Sequence, residues 1–207
     1  MTKIITLITL FVVNALAAQG KFEEGMTKAF ELWGQGKNSE ASAMFERIAS
    51  AEKNNWLPNY YVALVNTTTA FGTKDKETVS ALLDKAQSAL DIELDKTPDN
   101  PELIVMEAMI QTAWIVYDPM TNGQKLSGKV MELYSKAQAI APQNPRVVLG
   151  KAEFEIGGAK FWGTDTKPMC AQIDKAIELF GKFKPETAFS PKWGLDRALE
   201  IQKTCRN

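Results

Sequence analysis

The sequence predicts an all-α chain: an α-solenoid of about four antiparallel helix pairs plus a C-terminal capping helix. Three observations predict it. Apolar residues recur at helical spacing along most of the chain, so each run forms a stripe on one face of a helix. Asn100-Pro101 and Asn144-Pro145 punctuate that pattern. At such a step the asparagine oxygen can accept from an orphan backbone N–H, and proline suits a first turn whose amide has no intrahelical partner. The third observation is a register between pairs. Asp84-Lys85-Ala86, Ser135-Lys136-Ala137 and Asp174-Lys175-Ala176 fall in step on the second helices, with Ile48 equivalent in the first pair. Ile48, Ala86, Ala137 and Ala176 are separated by 38, 51 and 39 residues, an uneven period in the range of stacked helix pairs.

Residues 1–18 read as a separate unit, with Lys3, an apolar run from Ile4 to Val13 and then Ala15-Leu16-Ala17-Ala18. That order matches a secretory signal peptide with a small-residue cleavage site. The run of ten residues is short of the roughly 20 that span a bilayer as a helix. Residues 19–207 are then expected to form the mature domain, exported to the periplasm or secreted, with no stable membrane insertion.

The first helix carries Phe22, Met26, Ala29, Phe30 and Trp33 and ends around Gly34 to Gly36. Asn38 or Ser39 can cap the second, with Ala41, Met44, Phe45 and Ile48 inward. Pro58 opens the third, which carries Tyr60, Tyr61, Leu64 and Val65; its polar run Asn66 to Thr69 reads as a solvent-facing strip. The fourth carries Val79, Leu82, Leu83, Ala86, Leu90 and Leu94, and the fifth Met106, Ile110, Ala113, Trp114 and Tyr117. Asp118 to Gly123 combines aspartate-proline with asparagine-glycine and reads as the longest loop within the array. The sixth helix follows with Val130, Leu133, Tyr134, Ala137 and Ile140, and the seventh with Val148, Leu149, Ala152, Ile156 and Ala159. The eighth starts near Lys167-Pro168. Lys184 to Phe189 is a loop, Ser190-Pro191 reads as another cap-and-proline step, and the last helix runs from Trp193 to Cys205.

Over residues 22–205 the chain resembles the tetratricopeptide-repeat family. Gly36-Lys37-Asn38-Ser39-Glu40-Ala41 with Phe45 carries the resemblance in the first repeat, and Tyr134 to Pro142 followed by Asn144-Pro145 carries it in the third. All repeat spacings exceed the family's usual period of about 34 residues. The resemblance implies a concave surface lined by the first helix of each pair and fixes no enzymatic site.

Composition excludes whole classes of function. Histidine is absent, which removes the commonest general base and metal ligand. No phosphate loop and no twelve-residue calcium loop is present, so no cofactor and no metal is expected. The charges, net −1, are interspersed with no basic stripe, which argues against nucleic acid. The aromatics on the first helices are the candidate partner-binding residues, above all Tyr61, Tyr117, Trp162 and Trp114, since a ring with a polar tip anchors a partner chain well. Cys170 and Cys205 lie 17 and 18 residues from a turn centred near Thr187, so an antiparallel pair brings them together in a disulfide. The leading functional expectation is an exported, non-enzymatic module that docks another envelope protein or a peptide segment along its concave face. The alternative is a small-molecule carrier whose pocket uses the same aromatics and the Asp118 to Gly123 segment.

Overall fold

The structure is a computed structural model that describes residues 20–205. The expected signal segment, residues 1–18, lies outside the described residues. Among those described, α1 covers residues 20–34. It is followed by α2 (Asn38–Ala51), α3 (Leu57–Ala70), α4 (Lys76–Leu94), α5 (Pro101–Tyr117), α6 (Pro119–Ile140), α7 (Pro145–Trp162), α8 (Lys167–Lys182) and α9 (Leu195–Cys205). Each helix packs on the next. α3 also touches α5, and α5 touches α7, so the first helices of the pairs form an inner layer. Because direction alternates, the C-terminal ends of α3, α5 and α7 share one end of the array and their N-terminal ends share the other.

The Asn-Pro steps act as the sequence suggests. Asn100 Oδ1 accepts from the Glu102 amide at 3.0 Å and Asn144 Oδ1 from that of Arg146 at 2.9 Å. The expected loop at Asp118 to Gly123 is instead the first turn of α6. Asp118 Oδ1 accepts from the Thr121 amide at 3.1 Å, and Pro119 fills the first turn. Asp118-Pro119 is thus a third copy of the same capping device, and α5 passes into α6 with a single residue between them. At α2 neither Asn38 nor Ser39 caps: the helix begins at Asn38, whose Nδ2 donates instead to Thr69 Oγ1 at 2.9 Å.

The polar run on α3 is a solvent strip only in part: Thr68 is exposed and Thr69 half-exposed. Asn66 and Thr67 are buried, and Asn66 donates to Ser42 Oγ at 2.8 Å across the α2 interface. Ser190-Pro191 does not open the last helix either. α9 starts at Leu195, after Gly194 at φ +115°, where a Cβ would stand 2.5 Å from the Phe180 ring. Only glycine combines that φ with so close an approach.

Three packed clusters form the core. The largest joins α1 to α5 around Phe45, Tyr60, Leu83 and Leu103. A second ties α5, α6 and the start of α7 through Ile104, Val130 and Val147, and a third holds α7, α8 and α9 around Leu149, Ile173 and Ile201. Each fully buried side chain of this size contributes about 1.5–3 kcal/mol. Cys170 and Cys205 are joined, with 2.07 Å between sulfurs and 5.8 Å between Cα atoms, and the bond closes α9 onto α8.

Candidate functional site

The inner layer has two unlike ends. At the end formed by the starts of α3, α5 and α7, residues 183–194 leave α8 and run as a non-helical strap across the helices before entering α9. Phe189 meets the Phe22 ring edge-on at 5.6 Å and lies parallel to the Phe30 ring at 6.1 Å. Tyr61 Oη donates to the Phe189 carbonyl at 2.8 Å, and Trp193 Nε1 donates to Tyr60 Oη at 2.7 Å. Phe183 covers the Arg146 guanidinium, 4.5 Å from its centre.

Under the strap is a buried ion pair. Arg146 Nε and Nη2 donate to the two oxygens of Glu102 at 2.8 and 2.6 Å, and Asn144 Nδ2 adds a bond of 2.6 Å to the same carboxylate. Burial alone opposes the Arg146 charge. The Glu102 hydrogen bond and charge, with help from Tyr60 and Tyr61, outweigh it and hold the guanidinium above its ordinary range. Burial raises the Tyr60 hydroxyl well above its usual value, reinforced by Glu102 and opposed by Arg146 and the Trp193 bond. Burial likewise raises Tyr61. These phenols are neutral, and Arg146 Nη1 is left without a hydrogen-bond partner.

The opposite end has no such cover. Val116, Met120, Phe161 and Trp162 are 56, 79, 51 and 77% exposed, and these are the large apolar side chains of the described residues whose exposure passes one half. They come from the end of α5, the start of α6 and the end of α7. Trp114 and Tyr117 stand beside them, half-buried, with ring centres 6.5 Å apart, and Phe161 meets Trp162 edge-on at 5.0 Å. α7 ends there because Gly163 adopts φ +69°, the left-handed cap that releases the chain into the next loop.

The aromatics singled out from sequence therefore do not form one surface. Trp114, Tyr117 and Trp162 share the open end, whereas Tyr61 is 3% exposed at the other end with its hydroxyl already engaged. Sequence reasoning missed Glu102, Arg146, Phe189 and Trp193. A signal for the first two exists: Asn100-Pro101-Glu102 and Asn144-Pro145-Arg146 place opposite charges at the same turn of successive inner helices.

Two surface depressions of about 640 and 400 Å³ lie along α1 and α2; Phe22 lines the second, and neither touches Tyr61, Trp114, Tyr117 or Trp162. Among the described residues no group of three or more metal-ligating side chains is placed to hold an ion, and no helix is long and apolar enough to cross a membrane.

No protein-family model matches the chain, and no curated protein matches it. Solved structures do. The HusA haemophore from Porphyromonas gingivalis superimposes with a TM-score of 0.78 at 22% identity, over 89% of this chain and 92% of that one. A thermophilic TPR protein of Thermus thermophilus superimposes with a TM-score of 0.57 at 11% identity, over 89% and 98%. The chain has a helical-repeat fold. Identities this low carry the fold and nothing finer, and neither neighbour's description names an enzyme.

Proposed function

We propose that the chain is an exported, non-enzymatic binding module, residues 19–207 after a signal peptide at 1–18, that takes a compact apolar cargo of the porphyrin type at its open end. The observation that carries this reading is that the large apolar side chains of the described residues exposed beyond one half, Val116, Met120, Phe161 and Trp162, all come from helix ends at this one end of the array. A contiguous exposed apolar patch with polar surroundings is characteristic of a binding surface. Exposed indole and phenyl rings suit a flat ligand, since their faces stack with little loss of conformational freedom. The likeness to a haemophore adds support from a different direction.

With no histidine in the chain, an iron porphyrin would be held by stacking, with Tyr117 and Met120 as the iron-ligating side-chain types at this end. The second reading is the docking of another protein along the concave face. One observation favours it: the inner layer already accommodates an extended segment, its own strap.

The test is titration of the mature chain with iron protoporphyrin and with the metal-free porphyrin, followed by tryptophan quenching. Saturable binding of both is expected, weakened at least about tenfold, or 1.4 kcal/mol, in F161A/W162A with helix content unchanged. Unchanged affinity in that variant, or no binding of either porphyrin, would overturn the proposal.

A further inference from the structure

The strap makes contacts that any extended chain could reproduce. Besides the burial of Pro191 and the packing of Phe189 and Trp193 on the core, they include one backbone carbonyl accepting from Tyr61, one ring beside Phe22 and Phe30, one indole N–H donated to Tyr60 and one ring over Arg146. Both ends of the strap are secured without it. α8 and α9 bury Ile173, Ala176, Leu179, Ala198 and Ile201 against α7, and the Cys170–Cys205 bond links them. Between its anchors, residues 184–188 are exposed. The strap can therefore lift as a loop while α9 stays in place. It is also an imperfect occupant, because it leaves Arg146 Nη1 buried with no acceptor, and a buried donor left unpaired favours any occupant that supplies an oxygen.

We propose that the inner face over α1, α3 and the start of α7 is a recognition groove for an extended aromatic segment, and that residues 183–194 are its resident, displaceable occupant. The segment it fits has a ring whose own carbonyl accepts from Tyr61, a ring-borne N–H donor four residues later for Tyr60, and an oxygen acceptor six residues earlier for Arg146. Four and six are the spacings from Phe189 to Trp193 and from Phe183 to Phe189. While the strap is seated, other chains are shut out. This groove lies at the opposite end from the porphyrin surface and does not depend on it.

The probe is a fluorescent peptide of residues 183–194, titrated by anisotropy into the oxidised protein and into two loosened variants. F189A/W193A removes the anchoring rings, and T187G/A188G makes the exposed part of the strap more flexible without touching the core. Each loosened variant should bind the peptide at least about tenfold more tightly than the parent protein. Tyr61→Phe in the T187G/A188G background should weaken that binding several-fold, F161A/W162A should leave it unchanged, and a peptide with alanine at 189 and 193 should not bind. If F189A/W193A does not fold, T187G/A188G decides. A folded loosened variant that binds the peptide no better than the parent, or binds the alanine peptide equally well, would overturn the proposal.

Discussion

The two ends of the inner layer are built from the same helices and the same kinds of residue, yet one is finished and the other is not. At the strap end every aromatic has a neighbour from its own chain, and Tyr60 and Tyr61 are 0 and 3% exposed. At the open end Trp162 is 77% exposed, with no segment of the described chain across it. Stacking helix pairs leaves the inner face of a repeat array open as a surface on which other groups can lie. Here the chain covers one end itself with the turn between α8 and α9 and leaves the other bare. The difference separates aromatics that hold the fold from aromatics free to hold something else.

The sharpest way to break this contrast is at the ion pair under the strap. Glu102→Ala leaves the Arg146 charge buried and unpaired and should lower stability by about 3–5 kcal/mol in urea denaturation, whereas replacing both partners with Met and Leu should recover most of the loss. A loss of less than about 1 kcal/mol would show that water reaches the strap end, which would then be no more closed than the open end.

Next in size is the staple. Cys170 and Cys205 are 35 residues apart, and replacing both with serine should cost about 3–4 kcal/mol by the loop-closure estimate. The same urea measurement checks it, and an unchanged midpoint would mean that α9 and the strap need no covalent anchor.

Alkali should act on the strap end in particular. Tyr60, Tyr61 and Tyr134 are raised by burial above their ordinary 10.0, so the unfolded chain loses these protons first as pH rises. Their contribution is complete below pH 10 and falls above it by about 1.4 kcal/mol per pH unit for each phenol still protonated in the fold. Urea midpoints at pH 9 and 11 give the slope, and Tyr60→Phe and Tyr61→Phe should each flatten it. The smallest effect should be at the open end, where Trp162→Ala is expected to change stability by no more than about 0.5 kcal/mol while weakening porphyrin binding.

Much of the fold is legible in the sequence because its signals are local. Asn100-Pro101 and Asn144-Pro145 mark helix starts by side-chain chemistry that needs no tertiary context. Asp118-Pro119 is the same device, but the Asn122-Gly123 pair that follows favours a turn in isolation, and only packing of α6 on α5 settles the matter. The strap is illegible for a different reason. Its decisive bonds, Tyr61 to Phe189 and Trp193 to Tyr60, join residues 128 and 133 positions apart in a segment with no periodicity. Nothing local tells Tyr61, which the strap covers and which is 3% exposed, from Tyr117, which stays half-buried at the other end. Both are aromatic residues on inner helices, and their surroundings differ only because residues 183–194 return to one end of the array.

Hydrogen–deuterium exchange of residues 19–207 with and without metal-free porphyrin separates the two ends most directly. The account predicts new protection in residues 114–123 and 157–163 at the open end, with residues 183–194 unchanged. Protection confined to residues 183–194 and the start of α3 would contradict it and place the cargo under the strap.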